Sequence, residues 1–485
     1  MPYADRHRVP RRTRLTLLAP DDVRRIHEAT LEVLETVGVV VHSRRALEVL
    51  ADHGAAVDPA TTVARIPAAA VERALASVPG TVVLGARDPA FDLPLDGEHL
   101  FLSADGCGVA TRDPWTGEVR PSRKQDVADC ARVVEALDGL AASSAVVSAL
   151  DCPPGTRVLH EFDACVRNSR KHTIVVSIKE EREARHLLRM AEALAGGREE
   201  LRRRPLFTAI VCTVSPLQQE RFGMDLALFL AAAGIPVSFY PMPILGATAP
   251  ASVAGAAVVN NAEFLSALTV VQLACPGAPV LHGGGPTAMS MRSGAYLSNA
   301  PEALVLRGIQ GHMADFYGVP AWYGAGATTA KEPGLQSAWE NALGMFMAYA
   351  NGADLTFGSG LLDGSRILCL ESLVVDAEVF GVVKRLLAGV AVDEETLAVD
   401  LIRETGFAGA YLAADHTRRH ARDLWQPLLA EVGTYEAWRA AGSPSTLDRA
   451  RALLRAALAA EAEPLPDDLA GELAAIIAAA EAEAN

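Results

Sequence analysis

The sequence predicts a closed (β/α)8 barrel, the TIM-barrel form of α/β fold, with mainly helical extensions at both ends. Three observations carry that expectation. From His99 onward, apolar β-type runs alternate with helical patterns, unit after unit. Eight such units occupy about 290 residues, close to the ~250 typical of these barrels. The strand runs are continuously apolar, which marks a parallel sheet covered on both faces. An open doubly wound sheet is the alternative. Against it, no GxGxxG follows the first strand and no acidic residue stands at the ribose-binding distance.

The elements follow in order. Residues 1–98 form an N-terminal unit. "APDDVRRIHEATLEVLETVGVVVHS" starts a helix at Asp21–Asp22 and ends it at Gly38, and "SRRALEVLADHGA" and "IPAAAVERALASVPG" are two more short helices closed by glycine. "TVVLGARDPAFDLPLDG" reads as a small β section. Residues 99–389 form the barrel. Its strands are "HLFLSADG", "ASSAVVSAL", "HTIVVSI", "LFTAIVCTV", "PVSFYPMP", "PVLHGGG", "PAWYGAG" and "DLTFGSG". Between them lie helical patterns such as "KQDVADCARVVEALDG" and "PEALVLRGIQGHMADFYG". Residues 390–485 continue as helices, with "EPLPDD" as a linker before the last one.

Composition narrows the function. Half the chain is apolar and 21% is charged, so it is globular. A net charge of −15 argues against nucleic acid and anionic membranes as partners and suits a small cationic substrate. Neither a targeting segment nor a bilayer-spanning run is evident, and Ala249–Leu273 reads as a buried helix. Seven scattered cysteines without a CxxC pair fit a reduced cytoplasmic protein with no structural zinc. The helical extensions suggest a homo-oligomer.

In a barrel of this kind, chemistry sits at the carboxyl ends of the strands. The first strand ends at Asp105, Gly106, Cys107 and Gly108; the fifth runs through Phe239, Tyr240 and Met242. The sixth ends at His282 with Gly283, Gly284 and Gly285, and Tyr296 lies beyond. The seventh carries Trp322–Tyr323 and the eighth Phe357. The three glycines would either make a tight turn or let a ligand approach the backbone. No Walker loop, GxSxG elbow, HExxH motif or strand-ending lysine is present. "GAGA" and "GSG" could cradle a phosphate, but only Lys331 and Arg366 stand near them. What gathers is aromatic faces, methionines, glycines and a few carboxylates, which suits a quaternary ammonium ion recognised by π-faces. His416 and His420 in "DHTRRH" have metal-ligand spacing, but no third ligand is in view, Arg418–Arg419 lie between, and the pair reads as structural or surface.

"LGATAPASVAGAAVVNNAEFL", "HGGGPTAMSMRSGA", "ATTAKEPGLQSAWENAL", "LESLVVDAEV" and "DHTRRH" together resemble the trimethylamine methyltransferase family. The resemblance covers most of the chain. It implies a (β/α)8 barrel that passes a methyl group from an amine to the Co(I) corrinoid (cobalamin-type) of a small partner protein, with no permanently bound cofactor. Founding members of that family carry pyrrolysine in the segment corresponding to "AKEPGLQSAWE"; here an ordinary residue near Leu335–Gln336 stands in its place. The resemblance therefore implies the branch that uses quaternary amines such as glycine betaine. On this reading His282 sits under the corrinoid edge against the substrate, and His282 and Gln336 are the catalytic candidates. Gly283, Gly284 and Gly285 leave room for the corrinoid. Tyr240, Met242, Tyr296, Trp322 and Phe357 cage the substrate, and Asp105 and Glu371 are the carboxylates taken with it. Strand alternation sets one of Trp322 and Tyr323 inward, and Trp322 is chosen for its stronger cation–π face.

Overall fold

The computed structural model describes every residue except Met1, Arg11, Arg12, Cys107, Ala408 and Asn485. Eight parallel strands pair in chain order, and the last closes on the first. They are β1 (Phe101–Ala104), β2 (Ala142–Ser144), β3 (His172–Val175), β4 (Phe207–Cys212), β5 (Val237–Tyr240), β6 (Val280–Gly284), β7 (Ala321–Gly324) and β8 (Leu355–Ser359). The principal helices after them are α1 (Lys124–Ala136), α2 (Arg157–Asn168), α3 (Glu181–Ala195), α4 (Arg221–Ala233), α5 (Val253–Ala274), α6 (Pro301–Tyr317), α7 (Leu335–Ala350) and α8 (Leu370–Leu387). All eight strands are those marked in the sequence. Helix α2 is not marked there, because buried carboxylates interrupt its apolar pattern. Glu161 accepts from the Ala149 amide at 2.9 Å and Ser177 Oγ at 2.7 Å, and Asp163 pairs with Lys124 and Arg167.

Side-chain alternation along the strands decides what faces the barrel axis. Phe101, Ile174, Ile210, Tyr240, Leu281, Trp322 and Phe357 share one inner cluster. Phe239 and Val280 belong to the layer between strands and helices, as does Tyr323. The inner cluster includes Leu84, Leu93 and Leu95 from the antiparallel hairpin Val82–Leu84/Leu93–Leu95, which plugs the amino-terminal end of the barrel. All three leucines are fully buried, each contributing ~1.5–3 kcal/mol. Arg204 ties the hairpin down through both oxygens of Asp92, at 2.6 and 2.7 Å.

The N-terminal helices Pro20–Glu32, Arg44–Asp52 and Ala68–Leu75 pack on α5. That explains why α5 is apolar on all sides: the face that would meet water is covered. Among the described residues, α5 is the one helix long and apolar enough to cross a membrane, and most of it is buried. A small sheet of Val39–Val41, Ala56–Asp58, Val63–Arg65 and Gln218–Gln219 is not foreseen, since its strands are two or three residues long.

At the carboxyl end, the loops form two small sheets. One joins Ile244–Leu245, Thr287–Met289 and Tyr296–Leu297; the other joins Ala110–Arg112, Val119–Pro121, Leu361–Leu362 and Ile367–Leu368. Helix Thr446–Ala459 packs on α8 and α1, and Asp467–Ala484 on α3 and α2. His160–Glu481 and His186–Glu483 contacts, both 3.0 Å, fasten the last helix.

Candidate active site at the barrel mouth

The carboxyl ends of the strands surround a cavity of about 310 Å³. Its lining includes Asp105 after β1, Cys212 of β4, Tyr240 and Met242 of β5 and its loop, Gly285 after β6, Phe357 of β8 and Tyr296 of the mouth sheet. Tyr240 and Phe357 meet edge to face, with centroids 6.1 Å apart and an interplanar angle of 66°. The Tyr240 phenol is pushed well up by burial, so it stays neutral. At β8 the pairing register shifts between Thr356 and Ser359. Gly358 there has φ of +120°, a conformation L side chains rarely adopt, and it lines the cavity.

The run "HGGGP" is explained by Tyr240. A Cβ on Gly283 would come within 2.8 Å of Tyr240 Cδ2 and 2.5 Å of the Phe239 carbonyl oxygen. One on Gly285 would meet Tyr240 Cε1 at 3.0 Å, and one on Gly324 of β7 would meet Tyr240 Oη at 2.7 Å. Gly284 packs instead against Gln310 of α6, whose Nε2 would lie 2.0 Å from a Cβ. The glycines thus give their space to a protein ring and to a helix. Gly283 and Gly284 are buried, and of the three only Gly285 lines the cavity.

Two buried charged groups set the electrostatics. Arg307 of α6 is 2% exposed and lines the cavity. Its Nη1 donates to Asn299 Oδ1 and its Nη2 to the Ser298 carbonyl, both at 2.6 Å. Nε has no partner, and among the described residues no carboxylate forms an ion pair with Arg307. Burial pulls this guanidinium below its usual value, but an arginine stays charged. An uncompensated buried charge costs several kcal/mol. Asp105, 2% exposed, accepts from Ser365 Oγ at 2.6 Å and from the Gly106 amide at 2.8 Å. Burial raises its carboxyl to about 6, against the lowering effect of those two hydrogen bonds.

The structure brings six of the sequence candidates to the cavity: Asp105, Tyr240, Met242, Gly285, Tyr296 and Phe357. It places the others elsewhere. His282 points outward from β6, because Leu281 on its flank faces the axis. Its ring lies 3.8 Å from that of Phe264 in α5, both nitrogens lack partners among the described residues, and burial lowers it to about 3. Trp322 does face inward, but it is fully buried below the cavity, edge-on to Phe357 at 5.7 Å and 86°. Gln336 is exposed at the start of α7 and donates to Glu340 at 2.8 Å and Thr329 at 3.2 Å. Glu371 is fully buried at the start of α8, between Arg112 at 2.8 Å and Arg451 at 3.3 Å, where it ties the C-terminal helix to the mouth sheet. Cys107 lies outside the described residues.

Arg307 is the group the sequence reading misses. The available signal is an arginine within the apolar stripe Leu304, Gly308, Gly311 and Ala314 of α6, all buried. A larger depression of about 540 Å³, lined by Pro79, Val83, Arg202 and Pro279, lies at the opposite end of the barrel. It has neither an aromatic face nor a buried charge, so the smaller cavity is the better site.

A family model described as trimethylamine methyltransferase matches residues 3–485. A trimethylamine methyltransferase of Desulfitobacterium hafniense (strain DSM 10664 / DCB-2) is 35% identical over 459 residues, covering 94% of this chain and 92% of that protein. One from Methanosarcina barkeri (strain Fusaro / DSM 804) is 30% identical, covering 88% of each. The glycine betaine methyltransferase of Desulfitobacterium hafniense (strain Y51) is 28% identical, covering 95% of this chain and 96% of that one. The solved structure of the Methanosarcina barkeri monomethylamine methyltransferase overlays with a TM-score of 0.51 at 14% identity, covering 93% and 96% of the two chains. That last likeness concerns the fold alone.

Proposed function

The chain belongs to the trimethylamine methyltransferase family, and from that premise we propose that it takes a methyl group from a carboxylate-bearing quaternary ammonium compound, a betaine, and delivers it to a corrinoid carried by a partner protein. One observation carries this reading. One small cavity joins aromatic faces to a buried arginine that has no carboxylate partner among the described residues. A zwitterion with a quaternary nitrogen at one end and a carboxylate at the other complements both. The relative named for glycine betaine supports the same substrate class.

The residues divide the work. A quaternary nitrogen has no N–H to donate, so Tyr240, Phe357 and Tyr296 would hold it by their rings, at ~0.5–2 kcal/mol each. Asp105 supplies a counter-charge. Arg307 takes the carboxylate and so fixes which end of the ligand points outward, while Val176 and Ile210 exclude water. No general acid is required, because the departing amine leaves neutral. The outward orientation of His282 is compatible with that chemistry.

The cavity suits a small amine and is far too small for a macrocycle. The loops around it expose Met242 (42%), Tyr296 (45%) and Met291 (75%), an apolar rim on which a partner's corrinoid could rest. When bound there, the corrinoid supplies a Co(I) nucleophile as methyl acceptor. A phosphate-binding reading has less support: Lys331 and Arg366 both pair with Asp363, and neither lines the cavity.

Calorimetric titration with glycine betaine, choline and trimethylamine tests the ligand class. Glycine betaine is expected to bind best. Equal or tighter binding of choline would remove the role of Arg307, and trimethylamine as the best ligand would overturn the betaine reading.

A further inference from the structure

Glu395, His416 and His420 meet on the C-terminal extension, each with a donor atom within 4.8 Å of the other two. The histidines stand four apart on the short helix Asp415–His420, with ring centroids 4.3 Å apart. Glu395 comes from the separate helical turn Glu394–Leu397. It is the third ligand that the sequence pattern alone does not reveal. We propose that these three side chains form a divalent-metal site, suited to zinc, that staples the two turns together.

The distances fit. With bonds of ~2.0–2.1 Å, donors of a tetrahedral zinc site lie roughly 3.3–3.5 Å apart. His420 Nε2 is 3.6 Å from Glu395 Oε1, whereas His416 Nε2 sits 3.0 Å from the Glu395 backbone carbonyl, a hydrogen bond that nitrogen would give up to ligate a metal. His420 is also oriented for ligation. Its Nδ1 lies 3.1 Å from Asp423 Oδ2, which holds the proton on Nδ1 and leaves the lone pair on Nε2. That Nε2 atom is buried and has no hydrogen-bond partner among the described residues. Arg419 Nη2 donates to Glu395 Oε1 at 2.7 Å, a hydrogen bond that a carboxylate oxygen can keep while it ligates a cation. Imidazole nitrogens with one carboxylate favour zinc or its neighbours over magnesium or calcium.

The surrounding chain gives such a staple a purpose. From Ala388 to Leu428 no described residue is buried, and Leu429 is the first that is. Two short helices without a core of their own are held poorly by packing, and a metal can supply what the core does not. This inference does not depend on the methyl-transfer reading.

The test uses the full chain, stripped by chelator and titrated with zinc chloride, followed by hydrogen exchange over residues 393–420. One equivalent should bind with micromolar or tighter affinity, and that segment should become protected. His416→Ala and His420→Ala should each weaken binding at least 100-fold. Asp423→Asn, which keeps all three ligands, should weaken it roughly 10–100-fold. Arg418→Ala, which removes only a surface pair with Asp415, should leave it unchanged. Millimolar binding, full retention in both histidine variants, or binding without protection would each overturn the staple.

Discussion

Replacing Arg307 with methionine should separate ligands that carry a carboxylate from those that do not. The side chain keeps an apolar stem out to the Nε position but loses the fork. In the structure two of its N–H groups serve Asn299 and Ser298, and Nε is free. Hydrogen bonds to a charged partner contribute ~1.5–3 kcal/mol each. One or two such bonds to a ligand carboxylate amount to about 1.5–6 kcal/mol, a loss of roughly tenfold to 10⁴-fold in affinity. Choline has the same ammonium and no carboxylate, so its affinity should stay within about threefold. Arg307→Lys keeps the charge without the planar fork and should fall between. The assay is calorimetric titration of both ligands into all three proteins, each first checked for an intact melting transition. Removing an unpaired buried charge is favourable, and orphaning the Ser298 carbonyl and Asn299 Oδ1 is not. Ligand-free stability should therefore change little. Equal losses for glycine betaine and choline would refute the assignment of Arg307 to the carboxylate.

Other consequences concern neighbouring groups. Asp105 is held near 6 in the folded protein, above its unfolded value. It thus binds its proton more tightly when folded, so it opposes folding above pH 6, and that penalty fades as pH falls through 6 toward 4. Asp105→Asn should raise the melting temperature at pH 8 more than at pH 4; an equal shift at both would show that its carboxyl is not raised. The same proton weakens cation binding, so glycine betaine affinity should drop below pH 6 in the parent protein and stay flat in Asp105→Asn. His282→Leu removes two unpartnered buried nitrogens of a residue that does not line the cavity, so affinity should hold within about twofold and stability should not fall; a tenfold loss of affinity would place His282 at the site after all. Gly324→Ala drives a methyl into Tyr240 Oη, and overpacking of this kind costs ~1–3 kcal/mol. Tyr240→Phe in the same chain should restore stability, and failure of that rescue would mean the clash lies elsewhere.

The barrel was legible because eight apolar runs ended in glycine-rich or polar segments at regular spacing. Helix α2 was not, since buried Glu161 and Asp163 made its inner face look solvated. At the site, Tyr240, Phe357 and Asp105 were found because each sits at or just beyond a strand end with inward parity. His282 failed on the same parity: one residue along β6, at Leu281, the chain faces the axis. Trp322 had the right parity but the wrong depth, and depth depends on barrel stagger, which one strand does not reveal. Arg307 reaches the cavity from the helix behind β6, so no strand-end rule could find it. The glycines of "HGGGP" were read as a tight turn or as room for a ligand or the corrinoid, but at Gly283 and Gly285 the occupant is Tyr240 from the adjacent strand.

The central claim is tested most directly by following Co(I) absorbance of a reduced corrinoid protein mixed with this chain and a candidate methyl donor. With glycine betaine, the Co(I) signal should disappear and dimethylglycine should accumulate in equal amount, since one N–CH3 bond breaks for each methyl moved. Trimethylamine should leave the Co(I) signal intact, and Arg307→Met should slow the betaine reaction at subsaturating donor. Consumption of Co(I) by trimethylamine but not by betaine, or by neither although glycine betaine binds, would contradict the account.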